Sequence, residues 1–196
     1  MAKKRKKAGK KIIHLSDAHV GYKDLSRKLE DIVTKIIFMK EPASDYVIVH
    51  TGDIVENAAK KGSYDKAKAH LNRLKDAGFT VLVVPGNHDY GTGIIANKKY
   101  VKRFKDCFYG NTNLNYPKLD VKKNIAFIGL DSMEAEIGTV DRLSAEGELG
   151  KPQLKRLAVI LKKDKVKKCD YRVLYLHHHP FHYIPNYAIK RFKRVR

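Results

Sequence analysis

Residues 79–90 read "FTVLVVPGNHDY": an unbroken apolar run that halts at Pro-Gly and opens at once onto amide, imidazole and carboxylate. A continuous apolar run, rather than an alternating one, suits a strand covered on both faces. Two earlier runs end the same way. "KIIHL" (11–15) leads into "SDAHVG", and "DYVIVH" (45–50) leads into "TGDIVEN". Between them lie two helical stripes, Leu25, Leu29, Ile32, Val33 and Ile36, then Tyr64, Ala67, Leu71 and Leu74 over about 64–77. Gly78 stands where the second helix should stop. The order β-α-β-α-β predicts parallel strands joined by right-handed crossovers.

The second half has another texture. "LNYPKLDV" and "NIAFIGLDS" predict a hairpin turning at Lys122, Lys123 and Asn124. A helix is expected from about Pro152, with Leu154, Leu157 and Leu161 as its stripe, and "YRVLYLH" (171–177) as the last strand. "IPNYAIKRFKRVR" reads as the start of a further helix. Residues of about 90–100 and 132–150 are candidate loops without a readable specificity signature. Together these define one α/β domain over 11–189, flanked by a basic tail (1–10) and a basic end (190–196).

Of the 196 residues 43% are hydrophobic and 32% charged, the balance of a soluble globular protein. No stretch reaches the roughly 18 apolar residues of a membrane span. The basic N-terminus runs into "IIHLSD" without the apolar region or cleavage site of a signal peptide, so a cytoplasmic location is expected. Cys107 and Cys169 fit no metal or redox spacing. The net charge of +20 is concentrated at the ends, with seven Lys/Arg in residues 1–11 and five in 190–196. Lys3, Lys4, Arg5, Lys6 and Lys7 are candidate contacts for nucleic acid or another polyanion, the bland alternative being a solvated tail.

In α/β folds ligand sites gather at the carboxyl tips of strands. Those tips here carry Asp17 and His19, then Asp53, then Asn87, His88 and Asp89, and finally "HHHP" (177–180). Asp17 and His19 are two residues apart, so extended chain would send both side chains to one face. Each pair alone is weak evidence, since short polar turns contain such residues by chance. Their succession at strand ends is specific. His14, His50 and His70 have the bland reading of packed or surface residues, and His182 has no assignable role.

That succession, D-x-H, G-D, G-N-H-D and a strand-end His, resembles the calcineurin-like metallophosphoesterases over about residues 11–185. "FIGLDSM", "GELGKPQLKRL" and "LHHHPF" are most similar to the cyclic-nucleotide phosphodiesterase branch, and "HLSDAHVGY" to the superfamily's double-strand-break repair nucleases. The resemblance implies a four-layer αββα sandwich with mixed sheets. It implies hydrolysis of phosphodiester or phosphomonoester bonds by a hydroxide activated between two divalent metal ions. Asp17 and His19 would hold one ion, Asp53 would bridge, and Asn87 with His177 would hold the other. His88 would protonate the leaving oxygen or bind phosphate, with Asp89 orienting its ring. The family ligand is the first His after the strand, His177, although a turn could exchange it with His178. His179 would be a turn residue or an outer hydrogen-bond donor. Mixed N/O ligation suits Mn, Fe, Zn or Co.

One block is absent: no G-H-x-H follows His182. The resemblance therefore implies a sandwich without its closing strands and a site short of one ligand per metal. Three accounts stand: a fragment of a longer protein, ligands supplied by another chain or by water, or a homologue that binds nucleic acid or polyanion without catalysis. A nuclease of the same superfamily is the alternative enzyme reading.

Overall fold

The apolar runs of the first half pair side by side. In a computed structural model describing residues 10–92, 96–135 and 147–180, β1 (Lys11–Leu15), β2 (Tyr46–His50) and β3 (Thr80–Val83) form a parallel sheet in the order β1-β2-β3. Every residue of β2 is buried, and the period of two divides them. Tyr46 and Ile48 join the core beneath the helices, while Val47 and Val49 join a second core between sheets. The central position of β2 thus explains why its sequence is continuously apolar.

The helical face of this sheet is covered by α1 (Leu25–Ile37), α2 (Ser63–Asp76) and α3 (Lys98–Tyr109). All four predicted stripe residues of α2 are buried; on α1, Leu29, Val33 and Ile36 are, whereas Ile32 is 43% exposed at the rim. The sequence reading assigns no element to residues 98–109. Helix α3 is nevertheless capped at both ends, by the Asn97 side chain accepting from the Lys99 N–H and by Gly110 after its last turn. It buries Phe104 against Tyr64 and Tyr90.

The second sheet has the order β4-β5-β6, from β4 (Lys118–Lys122), β5 (Ile125–Gly129) and β6 (Tyr171–Tyr175). The predicted hairpin forms, with β4 antiparallel to β5, and β6 then runs parallel to β5. Val47, Val49 and Leu82 of the first sheet, with Val84 just after β3, pack on Ile125, Phe127 and Tyr175 of the second, with Tyr116 just before β4. At about 1.5–3 kcal/mol for each large apolar side chain removed from water, this layer is a principal source of stability. On the outer face, α4 (Gly150–Leu161) and α5 (Asp164–Lys167) cover Ala126 with Ile160, Val166 and Cys169. The layers are therefore helix, sheet, sheet, helix.

Helix α4 departs from expectation. Leu154 and Leu161 are 49% and 37% exposed, and the buried side chain is Gln153. The polar residue goes inside because its amide has backbone partners there: Gln153 accepts from the Asp131 N–H and donates to the Asp131 carbonyl, 2.9 and 2.8 Å. Among the described residues no strand follows β6 or pairs outside β1, and an apolar groove of about 370 Å³ opens between these two edges. No described helix is long and apolar enough to cross a membrane. Residues 1–9 of the basic tail, the basic end and the expected helix after residue 184 lie outside the described residues, as do parts of both candidate loops.

Candidate metal centre

All parallel strands deliver their carboxyl tips to one edge, and the loops that leave them are zipped together by backbone. Beyond β1, Asp17 N–H donates to the Gly52 carbonyl (3.1 Å), His19 N–H to that of Asp53 (2.9 Å) and Val20 N–H to that of Ile54 (2.9 Å). Asp17 and His19 do converge, but not by extended chain as their spacing suggested. Both have positive φ, 54° and 41°, and so does Asp53 at 50°. Three non-glycine residues in the left-handed region at one site store strain of about 1–3 kcal/mol each, which the surrounding hydrogen bonds must hold.

Two glycines make the approach of the loops possible. Gly52 has φ +99° and lies against the backbone of Pro85 and Gly86, where an added Cβ would sit 2.5 Å from the Gly86 nitrogen. A Cβ on Gly86 would fall 2.2 Å from Asp53 Oδ1. The "GD" and "GN" glycines therefore let two backbones and a carboxylate share a space that no side chain could enter.

Asp53 is the centre of this arrangement, 4% exposed. Its Oδ1 accepts from the His88 backbone N–H at 2.9 Å. Its Oδ2 lies 3.5 Å from His177 Nε2 and 3.7 Å from His19 Nε2. Burial pushes the Asp53 carboxyl up, while His177 and the His88 N–H draw it back. Two groups of ligand-capable atoms share it: Asp53 with His19 and His88, and Asp53 with Asp17 and His177. Asp17 Oδ1 also lies 3.8 Å from His19 Nε2, so the grouping implied by resemblance, Asp17 and His19 with Asp53, stands together as well, and His88 stands beside the same carboxylate. Asn87 opens the short helical turn that carries His88 and is half-buried.

Two of the imidazoles are held in defined tautomers. His177 Nδ1 lies 2.8 Å from the Thr51 carbonyl and His88 Nδ1 2.6 Å from that of Glu56. A carbonyl only accepts, so each Nδ1 carries the proton and each neutral ring keeps its Nε2 lone pair. For His177 that lone pair faces the Asp53 carboxylate. Opposed lone pairs repel unless a cation stands among them, so the donor set fits a bound metal, with the carbonyls serving as outer-shell orienters. His19 differs: its Nδ1 is 2.8 Å from the Glu56 carboxylate but outside hydrogen-bond alignment, so no hydrogen bond fixes its tautomer, while its Nε2 faces Asp17 and Asp53. Glu56 is thus a site residue that the sequence reading passed over; its only signal was its place three residues after Asp53. His88 and His19 also pack edge to face, centroids 4.7 Å apart.

Asp89 requires correction. It does not orient His88: its carboxylate is fully buried and collects the N–H groups of Ile54, Val55 and Gly86 at 2.9–3.0 Å. It therefore ties the loop after β2 to the loop after β3. Burial, together with the Asp53 charge, pushes it up to about 7.

The histidines after the last strand separate cleanly. His177 joins the centre. His178 Nδ1 pairs with Ser132 Oγ at 2.8 Å, and burial holds its ring down to about 4. His179 belongs to neither ligand group. The "LDS" and "QL" stretches now have a physical meaning: Gln153 clamps Asp131, and Ser132 holds His178. His14, read as bland, heads a chain through Thr51 and Ser16 to the Asp17 carboxylate. His50 is fully buried and held down to about 4 by burial, its Nδ1 accepting from Gly52 N–H. His70 pairs with Glu30 across α1 and α2. Lys3, Lys4, Arg5, Lys6, Lys7 and His182 lie outside the described residues.

The two layered sheets bring carboxylate and imidazole donors that could hold metal together at their common edge. The chain belongs to the calcineurin-like phosphoesterase family, whose model matches residues 10–195. Over 84 residues it is 30% identical to the DNA double-strand break repair protein Mre11 of Saccharolobus solfataricus, covering 40% of this chain and 22% of that protein.

Proposed function

We propose that this protein hydrolyses phosphodiester bonds with two divalent cations, Mn, Fe, Zn or Co, held by Asp17, His19, Asp53, Asn87 and His177. The observation that carries the reading is the single buried Asp53 carboxylate shared by two ligand groups. When bound, the cations would supply an activated water as nucleophile and a clamp for the phosphoryl oxygens. The protein's own part is positional. The Thr51 and Glu56 carbonyls hold His177 and His88 so that their Nε2 atoms face the centre. His88, when doubly protonated, carries at Nε2 the proton that the leaving oxygen needs.

Asp53→Asn tests this, with Mn²⁺-supported hydrolysis of bis(p-nitrophenyl) phosphate measured beside metal binding by calorimetry. Loss of both is expected; retained turnover would refute the mechanism. A second reading, nuclease activity, is favoured by the likeness to a DNA repair protein and by the basic tail with Lys3, Lys4, Arg5, Lys6 and Lys7. It expects metal-dependent cleavage of DNA that weakens with salt and with removal of residues 1–10.

A further inference from the structure

The row of β2 that faces the helices reads Tyr46, Ile48, His50, and its third place breaks the apolar pattern. His50 is fully buried, yet only one of its ring nitrogens is engaged. Its Nδ1 accepts from the Gly52 N–H, so the neutral ring carries its proton on Nε2, and that N–H has no acceptor among the described residues. A buried donor without a partner is uncommon and calls for a reason. His50 borders a cavity of about 190 Å³ between the exit of β1 and helix α1. Leu15, the register partner of His50, forms one wall, and Leu25, Leu29 and Ile32, at helical spacing on α1, form the other. Asp17, whose side chain is exposed, lines the same cavity. Lys28, also at its edge, is engaged with Asp24 at 3.3 Å.

Aliphatic walls with one convergent donor are the build of a small-molecule site. A cavity of about 150 Å³ lined by such side chains admits benzene, so this one has room for a single ring and its substituent. Asp17 joins the cavity to the metal centre, because its carboxylate also belongs to a ligand-capable group there. A phosphate held at that centre would therefore carry its organic group to the cavity's mouth. We infer that the cavity receives the organic group of the ester, a single flat ring whose acceptor atom meets the His50 Nε2–H. The inference rests on the phosphoesterase reading and adds a substrate class to it: aryl or heteroaryl esters are preferred to alkyl esters. Ile32 and His50 are then specificity residues, the first at the rim and the second as the hydrogen-bond donor.

The test is calorimetry of the full chain in Mn²⁺ with methylphosphonate, benzylphosphonate and p-nitrobenzylphosphonate. These present the head group alone, then a ring, then a ring with an acceptor, and their carbon–phosphorus bonds resist hydrolysis. The wild type should bind benzylphosphonate at least roughly tenfold more tightly than methylphosphonate, through burial of the ring. The nitro group should add roughly three- to tenfold. Ile32→Trp fills the cavity from its rim and should bring all three ligands to the methylphosphonate affinity. His50→Asn keeps an acceptor for the Gly52 N–H but lacks the Nε2 donor, so it should remove only the gain from the nitro group. No preference for the ring in the wild type, or unchanged discrimination in both variants, would overturn the inference. Failure of methylphosphonate to bind would instead refute the metal centre. The cavity is then read without metal: p-nitrobenzyl alcohol in EDTA should shift the methyl resonances of Leu25, Leu29 and Ile32, and unmoved methyls would overturn the inference on their own.

Discussion

Asp89→Ala is the most informative single change, because the residue's position reverses the role its sequence suggested. Removing the carboxylate leaves the buried N–H groups of Ile54, Val55 and Gly86 without an acceptor. At about 1–2 kcal/mol for each orphaned donor, the loss is about 3–6 kcal/mol, a large share of the total stability of an ordinary domain. Asp89→Asn keeps one acceptor oxygen and should lose roughly half as much. The effect also has a pH signature. The folded-state pKa is raised to about 7 from 3.8, so Asp89 contributes most below pH 4 and its contribution falls as pH rises through 7. The cost of Asp89→Ala should therefore be greater at pH 5 than at pH 8. Urea unfolding followed by far-UV circular dichroism measures this directly, and suits a chain without tryptophan. A variant within about 1 kcal/mol of wild type, with the acid limb of its pH–rate profile displaced, would refute the loop-tie account and return Asp89 to orienting His88.

Further outcomes follow from the same hydrogen bonds and close approaches. Gln153→Leu fills a similar volume but strands the Asp131 N–H and carbonyl, so unfolding should become about 2–4 kcal/mol easier; an unchanged denaturant midpoint would contradict the clamp. Asp131 is raised to about 6 by burial, so its contribution to stability is lost between about pH 4 and pH 6 as pH rises, and Asp131→Asn should flatten that part of the profile. Calorimetric titration with Mn²⁺ should show at least roughly 100-fold weaker binding in His177→Ala and less than roughly tenfold in His178→Ala, with the reverse order exchanging their roles. Gly86→Ala must displace either Asp53 or the loop backbone, and should lower both the melting temperature and metal affinity.

What was legible in the sequence was whatever depends on short range. Runs such as "DYVIVH" announce a strand buried on both faces because burial of consecutive side chains needs consecutive apolar residues. The stripe of α2 announces a helix because 3.6 residues per turn place Tyr64, Ala67, Leu71 and Leu74 on one side. The polar residues at the strand tips were legible for the same reason: chain order alone puts Asp17, Asp53 and His88 at the ends of parallel strands. Helix α3 could have been read from Asn97 and Gly110, its capping residues.

The tertiary structure alone decided how these groups use one another. Asp89 and Asn87 stand two apart in sequence, yet Asp89 turns inward because three N–H groups from two loops converge there. His177 and His178 are neighbours of identical chemistry, and they separate because one meets the Thr51 carbonyl and the other Ser132, 46 residues away. Gln153 outranks Leu154 for the interior because an unpaired backbone group elsewhere needs it. Each of these choices is made by hydrogen-bond partners distant in the chain, and no local pattern of apolar and polar residues encodes where such partners will stand.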